Sequence, residues 1–188
     1  MIGLQKFATH FQSHKNSMIV IGGAACEDYF DSVGLAFRAT HDIDIVLLVE
    51  QIDDRFLRAF WDFIRMGDYE IDHSLEGKVR FYRFKNPKKE DFPKMLELFS
   101  RSNDKLRLPE NLTAIPISVS EEISSLSALV MDDDYYELLR NNIHSGNLIH
   151  RANELVLIVL KIKAFLDLRR RRLLGDGIDE RQIKKHRG

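Results

Sequence analysis

Two aspartates one residue apart, Asp42 and Asp44, follow a glycine pair, Gly22-Gly23. In an extended chain, residues i and i+2 point to the same face, with roots about 6–7 Å apart. Carboxylates held that close raise each other's pKa. A divalent cation relieves the conflict. Mg²⁺ prefers hard oxygen ligands and usually takes one or two carboxylates together with substrate phosphates. Asp-Ile-Asp-Ile with its acids in water needs no metal, so the pair alone is ambiguous. The glycines close an apolar, β-branched run, Met18–Ile21, and open a helical stretch, Ala24–Phe30. Such a turn lets backbone N–H groups approach a phosphate, and the helix N-terminus adds partial positive charge. The same turn also serves where no ligand binds.

Other residues carry weaker signals. Glu97 stands alone as an acid in Lys94–Phe99, with Leu96 and Leu98 on the opposite face. An acid in that setting must face water, a partner or a metal, because burying it unpaired is costly. Glu70 and Asp72 alternate in the same way and are its rivals. Asp132-Asp133-Asp134 reads as a helix N-terminus, since consecutive residues do not converge on an ion. Arg169–Arg172 reads as a solvated basic helix end or as a phosphate-contacting patch. The seven histidines and the single cysteine, Cys26, show no zinc spacing.

The order strand, Gly-Gly, helix, connector, strand with Asp-x-Asp resembles the polymerase-β-like nucleotidyltransferase superfamily. More narrowly, the stretch from Ile21 to Leu48, with Arg38-Ala39-Thr40-His41-Asp42-Ile43-Asp44 inside it, is similar to the AbiEii-type abortive-infection toxin branch. The resemblance covers about 30 residues. It implies an α/β (α+β) mixed sheet with flanking helices. It also implies Mg²⁺ (or Mn²⁺) on Asp42, Asp44 and a third carboxylate from a neighbouring strand, for which Glu97 is the candidate. NTP phosphates would lie against Gly22, Gly23 and the amide of Ala24, with Arg38 and Thr40 in the lead-in. A lysine in a Leu-Lys-x-x-Ala helix falls on Lys161, in Leu160-Lys161-Ile162-Lys163-Ala164. It would bind triphosphate as a point charge, or be an ordinary surface lysine. A later Lys/Arg-x-x-Asp motif would fall near Lys184-Lys185-His186-Arg187, where no aspartate follows. Either the natural chain continues past Gly188 or it lacks that acid.

The implied activity is transfer of an NMP from an NTP to a hydroxyl on a protein or RNA, tRNA included. An antitoxin partner is implied by the same resemblance. The rival reading is a non-catalytic nucleotide-binding or protein-interaction member of the same fold.

Several elements must position these residues. Leu4–His14 has helical spacing at Leu4, Phe7, Ala8 and Phe11. Met18–Ile21 and Asp42–Val49 read as strands, and Asp53–Met66 as a helix. Val79–Phe84 and Lys94–Phe99 are two more strands, and Asn111–Val119, with Pro116, an edge strand or extended segment. Tyr135–Asn142 and Ala152–Leu174 read as helices. Gly175-Asp176-Gly177 breaks the second, and Asp179 could cap a last helix from Glu180. A soft boundary near Ser118–Ser127 separates a nucleotidyltransferase-like core (1–120) from a mainly helical part (121–188) packed on it.

The 188 residues suffice for a core without staples. Lys plus Arg number 28 and Asp plus Glu 29, so the whole chain carries no charge bias toward nucleic acid or acidic substrates. One cysteine allows no internal disulfide, which fits a reducing compartment. The first eighteen residues lack the apolar run of a signal peptide, and no apolar segment reaches the roughly 20 residues of a membrane span. The expectation is a cytoplasmic protein with no membrane contact.

Overall fold

A computed structural model describes residues 2–38, 40–76, 79–101, 109, 115–116, 132–146 and 148–175. Helix α1 (Leu4–His10) leads through a 3₁₀ stretch, Gln12–Ser17, into β1 (Met18–Ile21), whose four residues are all buried. Helix α2 (Gly22–Ser32) starts on the glycine itself. Strand β2 (Asp42–Leu47) follows, then α3 (Asp54–Gly67), β3 (Glu70–Glu76), β4 (Val79–Lys85) and β5 (Met95–Arg101). A two-residue strand β6 (Ile115–Pro116), helix α4 (Asp133–Asn141), short strands β7 (Ile143–Ser145) and β8 (His150–Ala152), and helix α5 (Glu154–Leu173) complete the described elements.

The eight strands form one mixed sheet in the order β6-β3-β4-β5-β2-β1-β8-β7. The β1–β2, β3–β4, β4–β5 and β7–β8 pairs are antiparallel, while β2–β5, β1–β8 and β3–β6 are parallel. The chain is thus an α/β mixed fold with flanking helices, as the strand and helix signals predict.

Two apolar layers sandwich the sheet. On one face Ile43, Ile45, Leu96, Leu98 and Phe84 meet α1 and α3. Alternation in β2 and β5 sends these side chains to that face and the acids to the other. Helix α3 is strongly amphipathic: Phe56, Phe60, Phe63 and Ile64 are buried. Their rings meet Phe7 and Phe11 edge-on or tilted, with centroids 5.4–6.2 Å apart for the Phe7–Phe63, Phe11–Phe63, Phe11–Phe60 and Phe11–Phe56 pairs. Each such side chain contributes about 1.5–3 kcal/mol by leaving water. Asp53 caps α3, accepting from the Phe56 N–H at 2.7 Å.

On the other face Ile19, Ile21, Val46, Phe81 and Phe99 pack against Tyr136 and Leu139 of α4 and Val156 and Leu160 of α5. Asp132 caps α4, accepting from the N–H groups of Asp134 and Tyr135. Asn153 caps α5 through Val156 N–H at 3.0 Å. The Asn153 cap follows β8 directly and turns the chain onto this face.

Some expectations shift. The first helix stops at His10, and its continuation is the 3₁₀ stretch. Residues 70–76 form a strand, which the alternation of Glu70 and Asp72 hinted at. β7 and β8 escape a helical reading of the last third, and they join the same sheet as β1. Of the extended segment 111–119, only Ile115–Pro116 is described, and it is a strand at the sheet edge. The 118–127 boundary, the Lys184–Arg187 segment and the helix expected from Glu180 lie outside the described residues. No helix among the described residues is long and apolar enough to cross a membrane.

Candidate active site

β1 and β2 pair up to Ile21 opposite Asp44. The chain leaves the sheet there, so the Gly22-Gly23 turn stands at the level of the aspartates. Gly22 has φ of +65°, a backbone region that side chains disfavour. A Cβ on Gly22 would lie 1.9 Å from Asp44 Oδ2, and one on Gly23 would lie 2.6 Å from Thr40 Cγ2. The absence of side chains at both positions therefore lets the Asp44 carboxylate and the Thr40 methyl close against the turn. No side chain caps α2, and no acid sits in its first turn. The Asp44 carboxylate lies beside this positive helix end, a placement the dipole favours.

Asp42 and Asp44 are half-buried on one face of β2, with Ile43 and Ile45 fully buried on the other. In the parallel β2–β5 pair, Asp44 is in register with Glu97. Glu97 is mostly buried, between fully buried Leu96 and Leu98. The structure thus brings the third candidate acid to the strand next to Asp44, on its face. Glu70 and Asp72 lie on β3, with β4 and β5 between them and β2. Lys85 Nζ reaches Asp72 Oδ2 at 2.8 Å.

A cation sits where sequence reasoning placed none. Arg83 of β4 is in register with Glu97. Its Nε donates to Glu97 Oε1 at 2.9 Å and a terminal guanidinium nitrogen to the same oxygen at 2.7 Å. Alternation in Val79–Lys85 puts Arg83 on the site face, a signal present in the sequence but readable only once β4 is known to neighbour β5. Across the sheet one level therefore reads Asp72, Arg83, Glu97, Asp44. Among the described residues, no group of three or more His, Cys, Asp or Glu is arranged to hold a metal ion. Asp42 and Asp44 remain a same-face carboxylate pair suited to a hard cation that also takes phosphate oxygens. Glu97 is engaged by Arg83.

The other candidates separate into two kinds. Thr40 Oγ1 donates to Glu27 Oε2 at 2.5 Å, pinning the connector to α2. Ala24 is fully buried in the first turn of α2. Arg38 is exposed in the connector, with its guanidinium 5.9 Å from the Phe37 ring centre. Lys161 is exposed on α5. Burial pushes the Cys26 thiol of α2 above its ordinary range, while the charges of Lys161, Arg38 and Arg151 pull the other way. All three charges thus act on Cys26, one turn beyond the glycine start of α2, and Arg151 also contacts that helix directly.

Arg151 was not singled out by sequence reasoning. It is 1% exposed, and its Nε donates to Asp28 Oδ2 of α2 at 2.9 Å. It also donates to the Ala152 carbonyl and Glu154 Oε1, each at 3.2 Å. Gly146 leaves room for this pair, since a Cβ there would lie 2.5 Å from Asp28 Oδ2. β8 is therefore tied to the middle of α2. The Arg169–Arg172 run lies at the last turn of α5.

No protein-family model matches the chain, and no curated protein matches it in sequence. Among solved structures, JHP933 from Helicobacter pylori is similar, with 12% identity and a TM-score of 0.40 over 85% of this chain and 53% of that one. The chain spans about half the length of that protein. At this level the likeness decides nothing about activity, and the chemistry rests on the residues themselves.

Proposed function

We propose that this chain is a divalent-metal-dependent nucleotidyltransferase, moving an NMP from an NTP to a hydroxyl on a protein or RNA acceptor. The observation that carries this reading is the placement of Asp44. It lies against side-chain-free Gly22 at the start of α2 and in register with Glu97. A phosphate-accepting turn and a carboxylate row thus share one face at one level of the sheet.

Asp42 and Asp44, a carboxylate pair on one face of β2, would hold the divalent ion. When bound, such an ion supplies charge neutralisation and orientation for phosphate oxygens. The chain's own groups do the rest. The first-turn N–H groups of α2 donate to phosphate oxygens. Arg38 and Lys161 add positive charge around α2. The acceptor oxygen bonds to the α-phosphorus as the bond to pyrophosphate breaks. Its proton has a destination in Glu97 Oε2, because both Arg83 bonds fall on Oε1. Phosphoryl-type transfer relies on such positioning and charge placement more than on covalent chemistry.

The test is a labelled-NTP transfer assay against a panel of tRNA and cell-extract protein acceptors, with Asp42→Ala and Asp44→Ala alongside. Transfer that is lost in both variants, with circular dichroism unchanged, supports the reading. Transfer that survives either substitution sinks it.

A second reading is favoured by the Arg83–Glu97 pair and by the absence of a three-acid metal group among the described residues. It is a nucleotide-binding member that does not transfer. Calorimetry with NTP and Mg²⁺ separates the two: binding without any transfer supports this second reading.

A further inference from the structure

We infer that Arg83 takes the place of a second metal ion at this site, so that the chain binds one divalent cation on Asp42 and Asp44 and holds Glu97 as an ion-paired carboxylate rather than a metal ligand. The inference rests on the nucleotidyltransferase reading and narrows it.

Three observations carry it. Arg83 stands directly opposite Glu97 in the antiparallel β4–β5 register, so the pair is built into the sheet rather than formed by a wandering surface chain. The bond is two-pronged onto one oxygen, at 2.9 and 2.7 Å, and both side chains are largely shielded, with 25% of Arg83 and 12% of Glu97 exposed. An arginine remains charged at any relevant pH, so it neutralises the acid permanently. Finally, Asp42, Asp44 and Glu97 do not form a three-ligand group.

Electrostatics gives the same answer. With Glu97 ionised and unpaired, the row Asp42, Asp44, Glu97 would carry three negative charges, enough to draw two divalent ions. Arg83 neutralises the Glu97 charge of that row, which removes the demand for a second ion there. A second such ion on Glu97 would have to sit beside a fixed guanidinium, whose repulsion opposes it. The guanidinium instead provides a positive charge that needs no loading, two strands away from Asp44 with Glu97 of β5 between them.

The experiment is Mn²⁺ binding to the purified full chain, without nucleotide, followed by electron paramagnetic resonance of free Mn²⁺. The variants are Arg83→Gln, the double variant Arg83→Gln with Glu97→Gln, and Asp42→Asn with Asp44→Asn. The wild type should bind one Mn²⁺. Arg83→Gln should add a second site or tighten binding about tenfold or more. The double variant, which removes the pair as a unit, should return to within about threefold of wild type. Unaltered binding in Arg83→Gln overturns the inference. So does a tenfold loss in the double variant, since Glu97 would then be a ligand. If Mn²⁺ binding is absent, or is untouched in the Asp42→Asn, Asp44→Asn variant, the metal site itself fails and the inference falls with it. If the wild type binds one Mn²⁺ through the aspartates and only the Arg83 variants misbehave, the nucleotidyltransferase reading stands and this inference alone fails. Thermal melts of each variant identify any that no longer fold. For such a variant, Arg83→Lys, which keeps the charge and shortens the fork, takes its place and should bind as the wild type does. Tighter Mn²⁺ binding in Arg83→Lys would overturn the inference.

Discussion

Gly22 and Asp44 occupy one another's space: a Cβ built on the glycine would stand 1.9 Å from Asp44 Oδ2. Gly22 also has φ of +65°, so two independent constraints fix the residue type. Gly22→Ala should destabilise the fold by about 1–2 kcal/mol from the left-handed backbone alone. Displacing the carboxylate adds to that, and metal binding should fall more steeply than stability does. Urea unfolding alongside Mn²⁺ binding checks this. A variant that melts normally and binds Mn²⁺ normally would show that the contact has no bearing on the site.

The Arg151–Asp28 pair fastens α2 to β8, with Arg151 at 1% and Asp28 at 8% exposure. Removing one partner leaves a buried charge alone, which typically costs about 3–5 kcal/mol. Asp28→Leu and Arg151→Leu should each lose stability on that scale. The double variant should lose clearly less than the sum, because no orphan charge remains. A chemical-denaturation double-mutant cycle with no coupling would show that the pair is not what holds α2.

The glycine pair, both aspartates and the strand of Glu97 were legible in the sequence for a local reason. Each rests on short-range pattern: alternation in Asp42–Leu47 and Met95–Arg101, and a helix opening on Gly22. That Glu97 stands opposite Asp44 required one further fact, the parallel β2–β5 pairing, which joins residues about fifty positions apart. Arg83 was missed because its meaning depends on β4 lying beside β5. Arg151 was missed because a three-residue strand has too few positions to show a period, and its partner lies 123 residues away. β7 and β8 were missed for the same shortness.

Helix α5 offers apolar side chains to two faces. Val156 and Leu160 are buried against the sheet, whereas Ile158 is 57% exposed and Ile162 53%. Val156→Ala should cost about 1.5 kcal/mol, near 0.8 per buried methylene equivalent. Ile158→Ala should stay within about 0.5 kcal/mol, as exposed positions usually do. Paired thermal melts decide it. Equal losses at the two positions would mean that both faces are covered in solution.

Cys26 reports on where Lys161 points. Burial raises the thiol's pKa, and Lys161 is the largest of three cations opposing that rise. The rate of alkylation by iodoacetamide follows the thiolate fraction. Its inflection should therefore lie above that of a free cysteine. Lys161→Met should move it higher still, because an opposing charge has gone. The sign for stability follows from the same shift. A thiol whose folded pKa is raised stabilises the fold while both states are protonated. That contribution is lost as pH rises from the unfolded thiol's range through the raised folded value. Unfolding free energy should accordingly fall across the alkaline thiol range in the wild type, and the fall should be smaller in Cys26→Ala, the remainder coming from Tyr69 and Tyr136, whose burial also raises their pKa. An alkylation profile that ignores Lys161→Met would place that lysine away from α2 and remove it from the phosphate side of the site.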